Sequence, residues 1–260
     1  MGYVRALWLA CFVVSVIASG ADAAQFYAET GFNDQSGINS NPTPGSPYAL
    51  NQSIDGYANS EPGWTNSWTV LNGGALGGGP NAVVSPSSAY EGDGGLNVTQ
   101  AILGSTEFYR DFNTRSDEFV VETEVNFGSV GEFDGLVIKD NYPLGANVTG
   151  IQWRLTGAVG SRHFEVLTGN STGVGTWVNT GIAQRPGQWQ DVVADINVVT
   201  QTWTFSVDGV GFNQTMGFIG APPQLNSLYY YDTAAGSVDS IIVRATPEPG
   251  TSLIIFAAGG

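Results

Sequence analysis

The sequence predicts an all-β protein in which two antiparallel sheets pack as a sandwich. Three observations support this: the composition, a repeated two-residue alternation of apolar and polar side chains, and turn signals between the alternating segments. The chain of 260 residues contains 36 Gly, 12 Pro, 12% aromatic and 12% charged residues, whereas helix-rich domains carry more Lys, Glu and Ala. No segment has the apolar period of a long amphipathic helix.

The first element along the chain is a predicted signal peptide at residues 1–23. Arg5 supplies a positive charge, residues 6–18 are largely apolar, and Ala21-Asp22-Ala23 has the small-x-small form of a cleavage site. The apolar run is shorter than the ~20 residues of a spanning helix, which favours cleavage over anchoring. We therefore expect an exported protein that begins at Ala24 and touches the membrane only transiently, through this signal.

The mature chain is expected to fold as one β-sandwich domain over residues 24–245. Its clearest strand lies at residues 119–127, where Phe and Val alternate with Glu and Asn, so that one side faces a core and the other faces water. The same alternation recurs at residues 151–155 and continues at Phe164 and Val166. These segments are therefore predicted to be half-buried strands.

Two consecutive hairpins are predicted between Trp189 and Phe212. Alternating residues 191–198 lead through Thr200-Gln201 into a second alternating segment, and Asp208-Gly209 follows as a pair suited to positive φ in a tight turn. An aromatic strand at residues 228–231 and a final strand at residues 238–244 complete the domain. Gly- and Pro-rich stretches at residues 31–47 and 73–80 are predicted loops.

The tail at residues 246–260 is predicted to lie outside the fold. Pro247-Glu248-Pro249 cannot continue a strand ladder, because each proline lacks an amide hydrogen. The motif and the apolar run 253–258 resemble the PEP-CTERM signal of exported bacterial proteins, which an exosortase recognises. The basic cluster that ends such signals is missing before Gly260, so the tail reads as a truncated signal. The resemblance implies a location at the cell surface, in the bacterial envelope or outside it.

A second resemblance covers about residues 55–245. The aromatic segment 108–112, the strand 119–127, the segment 135–140 and the Trp-led strand pair ending in Val207-Asp208-Gly209 are similar to the concanavalin A-like lectin and laminin-G-like group. That group has a curved two-sheet jelly-roll fold. It includes lectins, adhesion domains and some glycosidases, so the function must be inferred from the side chains of the site.

Glu122 and Glu124 form the most specific catalytic candidate. Carboxylates two residues apart on a strand share one face, as the nucleophile and acid of a retaining glycosidase can. Jelly-roll glucanases carry a further glutamate, but Asn126 or Phe127 stands in its place here. We therefore assign no catalytic residues and expect a non-enzymatic protein, with a glycoside hydrolase as the alternative. His163 is the one histidine and has no serine-protease signature beside it.

Charge and ligand types exclude several partners. The net charge of −15 disfavours binding to nucleic acid. One histidine and one cysteine, Cys11 in the predicted signal, leave too few ligands for zinc, so no cofactor is expected. Calcium stays open, because Asp134, Asp140 and Asn141 could supply oxygen ligands, although these residue types are equally typical of turns.

The remaining functional prediction is binding of a polysaccharide or cell-surface glycan. Candidate residues are Trp177 for stacking on a sugar ring, and Gln152, Arg154, Glu122 and Glu124 for directional hydrogen bonds. Alternation places Trp153, Trp189 and Trp203 on apolar faces, which favours core roles for those rings. A purely structural role in the envelope is the equal alternative.

Overall fold

The computed structural model describes residues 26–32, 53–56, 63–72, 82–85, 87, 90, 95–98, 106–128, 133–140, 150–158, 160–232 and 236–246. The predicted signal peptide, Asn141 and the Pro247-Glu248-Pro249 motif lie outside these residues. The described part of the chain forms strands and no α-helix, and within it no helix has the length and hydropathy of a membrane crossing.

The strands fall into two fully antiparallel sheets. Their bounds are β1 Phe26–Thr30, β2 Thr69–Asn72, β3 Ala82–Ser85, β4 Gly95–Val98, β5 Thr106–Arg115, β6 Glu118–Phe127, β7 Phe133–Lys139, β8 Gly150–Thr156, β9 His163–Gly169, β10 Gly175–Ala183, β11 Gln190–Asn197, β12 Thr202–Val207, β13 Val210–Gly211, β14 Met216–Gly217, β15 Leu225–Asp232 and β16 Gly236–Ala245.

The nine-stranded sheet has the order β13-β12-β11-β6-β16-β4-β3, with β1 also on β16 and β14 also on β12. The seven-stranded sheet has the order β10-β9-β8-β7-β15-β5-β2. Strands distant in sequence are therefore neighbours at the centre of each sheet, while β8, β9 and β10 pair consecutively. The predicted all-β, two-sheet antiparallel jelly-roll sandwich is confirmed.

The core lies between the sheets and is rich in aromatic rings. Trp153 and Phe164 of the seven-stranded sheet meet Phe205 of the nine-stranded sheet, with ring centroids 6.1 and 6.0 Å from that ring. Tyr230 adds a polar link across the core, because its hydroxyl lies 2.6 Å from Thr123 Oγ1 on β6. Complete burial raises the pKa of Tyr230 far above its ordinary value.

The predicted hairpins and final strands are confirmed with small shifts of bounds. Gln201, Asp208 and Gly209 have φ values of 58°, 52° and 73°. These are the positive angles that tight hairpin turns need. The alternation at residues 119–127 is confirmed on the core side, where Phe119, Val121, Thr123, Val125 and Phe127 are buried. On the outer side Val120 and Glu124 are also buried, so this face is not simply solvated.

Candidate functional site

The two outer faces of the sandwich each carry a group of polar side chains. On the seven-stranded sheet we define the Trp177 patch as Gln152, Arg154, His163, Glu165 and Trp177. On the nine-stranded sheet we define the acidic patch as Glu122, Glu124, Asp191, Asp208 and Asp239. The inner faces of the two sheets pack against each other across the core, and the outer faces point in opposite directions. The Trp177 patch and the acidic patch therefore cannot contact the same small ligand.

Strand register assembles the Trp177 patch. Gln152 on β8 pairs with Leu167 on β9, which pairs with Trp177 on the described edge strand β10. In the next row, Arg154 pairs with Glu165. Residues directly opposite each other in an antiparallel pair share a face, so consecutive hairpins place these side chains on the outer surface.

Arg154 is the central side chain of the Trp177 patch. Its Nε and Nη2 both donate to Glu165 Oε2, at 2.8 and 2.6 Å, and its guanidinium carbon lies 4.0 Å from the centroid of the Trp177 ring. His163 Nε2 lies 3.3 Å from the other carboxylate oxygen of Glu165. These contacts hold a half-buried indole beside a charge-balanced group of donors and acceptors.

The middle of the same sheet face is closed to solvent. Val137 and Tyr229, which continue the row of Gln152 towards β15, are only 2% and 1% exposed. Lys139 is 2% exposed, and burial lowers the pKa of its amine while the charge of Asp111 opposes that change. A ligand on this face is therefore confined to the β8–β10 end.

The acidic patch is built by strands that are far apart in the chain. Asp239 on β16 pairs with Glu124 on β6, and Glu124 pairs with Asp191 on β11. Three carboxylates thus stand in one row across three strands. Asp208 lies in the turn after β12, where its Oδ1 accepts the Asp191 amide at 3.2 Å.

Two arginines and one aromatic pair border the acidic patch. Arg244 donates to Glu122 Oε2 from Nε and Nη2, at 3.2 and 2.9 Å, and Arg185 forms an ion pair with Asp208. The Tyr90 amide donates to Asp239 Oδ2 at 2.9 Å. The Tyr90 side chain hydrogen-bonds Glu124, and its ring centroid lies 5.6 Å from that of Trp189.

The acidic patch has more carboxyl groups than neighbouring arginines, and two of these carboxyl groups have raised pKa values. Burial raises the pKa of Glu124 to about 7, and the charges of Asp191, Asp208 and Glu122 add to this, while the Tyr90 hydrogen bond opposes it. Burial also raises the pKa of Asp191 to about 6, with further contributions from Glu122 and Asp208 against Arg244. Near neutral pH the patch therefore holds protons that isolated carboxyl groups would have lost.

The structure divides the predicted glycan-binding residues between the two faces. Trp177, Gln152 and Arg154 come together, whereas Glu122 and Glu124 lie on the opposite sheet. Sequence reasoning gave no binding role to Glu165, although its alternation with Phe164 and Val166 places it outward beside Arg154. It also missed Tyr90, Asp239 and Asp191, for which no local sequence signal indicates proximity.

Several predicted tryptophans have other roles. Trp153 and Trp203 are 1% exposed, as predicted for core rings. Trp189 is half-buried against the exposed Tyr90 instead of lying in the core. Trp68 is buried, and the guanidinium carbon of Arg110 lies 5.0 Å from the Trp64 ring and 5.5 Å from the Trp68 ring, so these rings stabilise a buried cation.

Of the three calcium candidates, Asp140 is the one whose side chain the structure describes. Asp140 accepts a hydrogen bond from Gln224 Nε2 at 3.4 Å. The Asp134 side chain and all of Asn141 lie outside the described part of the structure. Among the described residues, no group of three or more His, Cys, Asp or Glu is arranged to hold a metal ion.

No family model matches the chain, and no curated protein matches it in sequence. In structure it is similar to a sialidase, with 12% identity, a TM-score of 0.50 and coverage of 69% of this chain and 17% of that one. It is equally similar to the globular domain of T. cruzi calreticulin, with 10% identity, a TM-score of 0.50 and coverage of 68% and 83%. Likeness at these identities concerns the fold alone.

Proposed function

We propose that this protein is an exported, non-catalytic protein of the cell surface or extracellular matrix, and that it binds glycan through the Trp177 patch. The observation that carries the proposal is the arrangement of Arg154, Glu165 and Trp177 at the accessible end of the seven-stranded sheet. Other outward groups of this sheet, such as Val137 and Tyr229, are buried.

The chemistry of the Trp177 patch suits a sugar. An indole offers a flat apolar surface for the C–H face of a pyranose. The guanidinium of Arg154, 4.0 Å from the centroid of the Trp177 ring, favours one orientation of this indole. Arg154 and Gln152 provide hydrogen-bond donors, and Glu165 and Gln152 provide acceptors. Because Arg154 is already bound to Glu165 and Trp177, little side-chain entropy remains to be lost on binding.

A glycan array with the purified exported protein tests the proposal. We expect retention on at least one glycan, and we expect Trp177→Ala to weaken it by about tenfold or more. Trp189→Ala is the matched control, because it removes the same type of ring from the position just before β11 of the opposite sheet. No binding to any glycan would reject the proposal in favour of a purely structural envelope protein. Equal losses in both variants would show that the Trp177 patch is not the site.

A glycoside hydrolase is the second candidate, and the acidic patch gives a specific reason to test it. Glu124, with its pKa raised to about 7, could donate a proton, while Oε2 of the neighbouring Glu122 accepts two hydrogen bonds from Arg244. Glycoside hydrolysis uses two carboxyl groups, one of which acts as the proton donor. Release of reducing sugar that Glu122→Gln and Glu124→Gln abolish would establish this activity. Release that both variants leave unchanged would exclude these two carboxyl groups.

The proposed export needs its own test. Mass spectrometry of the protein from its native cells should find an N-terminus at Ala24. Cleavage near Pro247-Glu248-Pro249, with or without an attached group, would support processing by an exosortase. A mature protein that retains residues 1–23 would contradict the proposed cleavage.

A further inference from the structure

We propose that the Trp177 patch selects neutral glycans over carboxylated ones, and that Glu165 is the residue that determines this specificity. The inference rests on the proposed function and adds to it the chemical class of the ligand. Its basis is the ion pair of Arg154 with Glu165, together with the closure of the sheet face beyond this pair.

The positive charge of Arg154 is already compensated in the Trp177 patch. Two of its nitrogens donate to one oxygen of Glu165, at 2.8 and 2.6 Å. The Glu165 side chain is 15% exposed and the Arg154 side chain 29% exposed, so both meet a ligand in a partly desolvated environment. A ligand carboxylate could approach Arg154 only beside the carboxylate of Glu165, where the two like charges repel each other.

Among the described residues, no second arginine and no lysine forms an ion pair with Glu165 that could offset this repulsion. Lys139, a further cation of this sheet face, is 2% exposed and its pKa is lowered by burial. His163 Nε2 lies 3.3 Å from Glu165 Oε1, the carboxylate oxygen that Arg154 does not contact, and is therefore a partner of Glu165. The net charge of −15 also repels a carboxylated glycan, over a longer range than the charge of Glu165.

A neutral sugar carries no carboxylate and is therefore not repelled by Glu165. Each hydroxyl group can both donate and accept a hydrogen bond, so adjacent hydroxyls can accept from Arg154 and donate to Glu165 while the ring lies against Trp177. The charge-balanced pair therefore serves as a combined donor and acceptor for a diol. Without Glu165, the same arginine would become a bidentate site for a carboxylate.

Matched oligosaccharides test this specificity. Immobilised cello-, galacto- and manno-oligosaccharides would each be paired with the uronic acid oligomer of the same length and stereochemistry, and binding of the full-length exported protein measured at low salt. We expect at least one neutral oligomer to bind about tenfold more tightly than its uronate partner. Glu165→Gln should reduce this ratio to about threefold or less, mainly by improved binding of the uronate.

Asp117→Asn is the control, because it breaks the ion pair of Asp117 with Arg115, outside both patches, and makes the same change of net charge. It should leave the ratio unchanged, and retained binding of the neutral oligomer shows that each variant is folded. Preferred binding of uronates by the unmodified protein would overturn the specificity while leaving glycan binding intact. If the ratio of neutral to uronate binding changed equally in both variants, the specificity would be due to net charge, and the proposed role of Glu165 would be overturned. Failure to bind any oligomer of either class, together with an empty glycan array, would reject the proposed function itself.

Discussion

On the Trp177 patch, Arg154 contacts both Glu165 and Trp177, and Glu165 also contacts His163. On the acidic patch, Asp239, Glu124 and Asp191 stand in one row across three strands. Both groups lie on outer faces of the same sandwich and both follow from the two-residue period of a strand. They differ in charge balance. In the Trp177 patch Arg154 and Glu165 form an ion pair, whereas in the acidic patch the raised pKa of Glu124 keeps part of this group protonated near neutral pH.

The difference shows that charge balance on a sheet depends on which strands become neighbours. Strands β8, β9 and β10 follow one another in the chain, so Arg154 and Glu165 meet across one hairpin. The acidic row joins β16, β6 and β11, which are distant in sequence. Strand order, which no local sequence pattern shows, therefore brings the carboxylates of the acidic row together. Four substitutions test how the two patches differ.

The largest effect is expected from Gly135→Ala, which alters the backbone that supports the Trp177 patch. Gly135 has φ +109°, and a Cβ there would lie 1.4 Å from the carbonyl oxygen of Trp153 and 3.0 Å from Arg154 Cα. The β7 and β8 backbones would have to separate, at a cost of about 4 kcal/mol or more in the free energy of unfolding. Urea denaturation followed by tryptophan fluorescence measures this loss.

Gly187→Ala is the control, because this glycine also has a positive φ, of 70°, but open space around its Cβ position. It precedes Trp189 on the opposite side of the molecule and should cost only about 1 kcal/mol. Similar losses in the two variants would mean that the close approach of the β7 and β8 backbones at Gly135 is not the cause of the lost stability.

The next effect is a pH dependence that belongs to the acidic patch. Glu124 and Asp191 have pKa values raised to about 7 and about 6, from ordinary values of 4.5 and 3.8. The folded state therefore binds the protons of these two groups more tightly than the unfolded state does. Their contribution to the free energy of unfolding is most favourable at low pH and falls as the pH rises from about 4 to about 7. We expect Glu124→Gln to flatten this profile and to stabilise the protein at about pH 8 by about 1–3 kcal/mol. Denaturation curves at several pH values would contradict this if the variant were less stable at pH 8.

A smaller effect is expected when the acidic patch loses a cation. Arg244→Leu removes the two hydrogen bonds to Glu122 Oε2 and one charge that lowers the pKa of Asp191. The free energy of unfolding should fall by about 1–2 kcal/mol at about pH 8, and by less at about pH 5, where Glu124 and Asp191 are protonated. Arg115→Leu breaks a different ion pair, with Asp117, and should cost the same at both pH values. A pH-independent loss in Arg244→Leu would argue against electrostatic coupling in the patch.

The smallest effect on stability is expected on the Trp177 patch itself. Glu165→Gln weakens a partly exposed ion pair, for which about 0.2–1 kcal/mol is typical. Thermal and urea denaturation measure this change directly. A loss above about 2 kcal/mol would indicate that the pair holds the fold together, and would weaken the case that it is arranged for a ligand.

Local sequence signals predicted the elements that local geometry controls. The strand at residues 119–127 was visible because its apolar residues alternate, and the turn at Asp208-Gly209 because these residue types accept positive φ. Trp177, Gln152 and Arg154 were proposed together with Glu122 and Glu124. The first three share one face because they lie on the consecutive strands β8 and β10, which both pair with β9. Tyr90 could not be linked to Trp189 or Asp239, since these contacts join distant parts of the chain.

Sequence alone was enough to predict the fold class, the hairpins between Trp189 and Phe212, and the core-facing residues of the strand at residues 119–127. These follow from a two-residue period and from turn chemistry, both of which involve only a few adjacent residues. Only the tertiary structure decided that Glu122 and Glu124 face away from Trp177, and that Glu124 is surrounded by carboxylates while Arg154 is paired. Electrostatic environment depends on distances between residues that strand order brings together, and no local pattern contains that order.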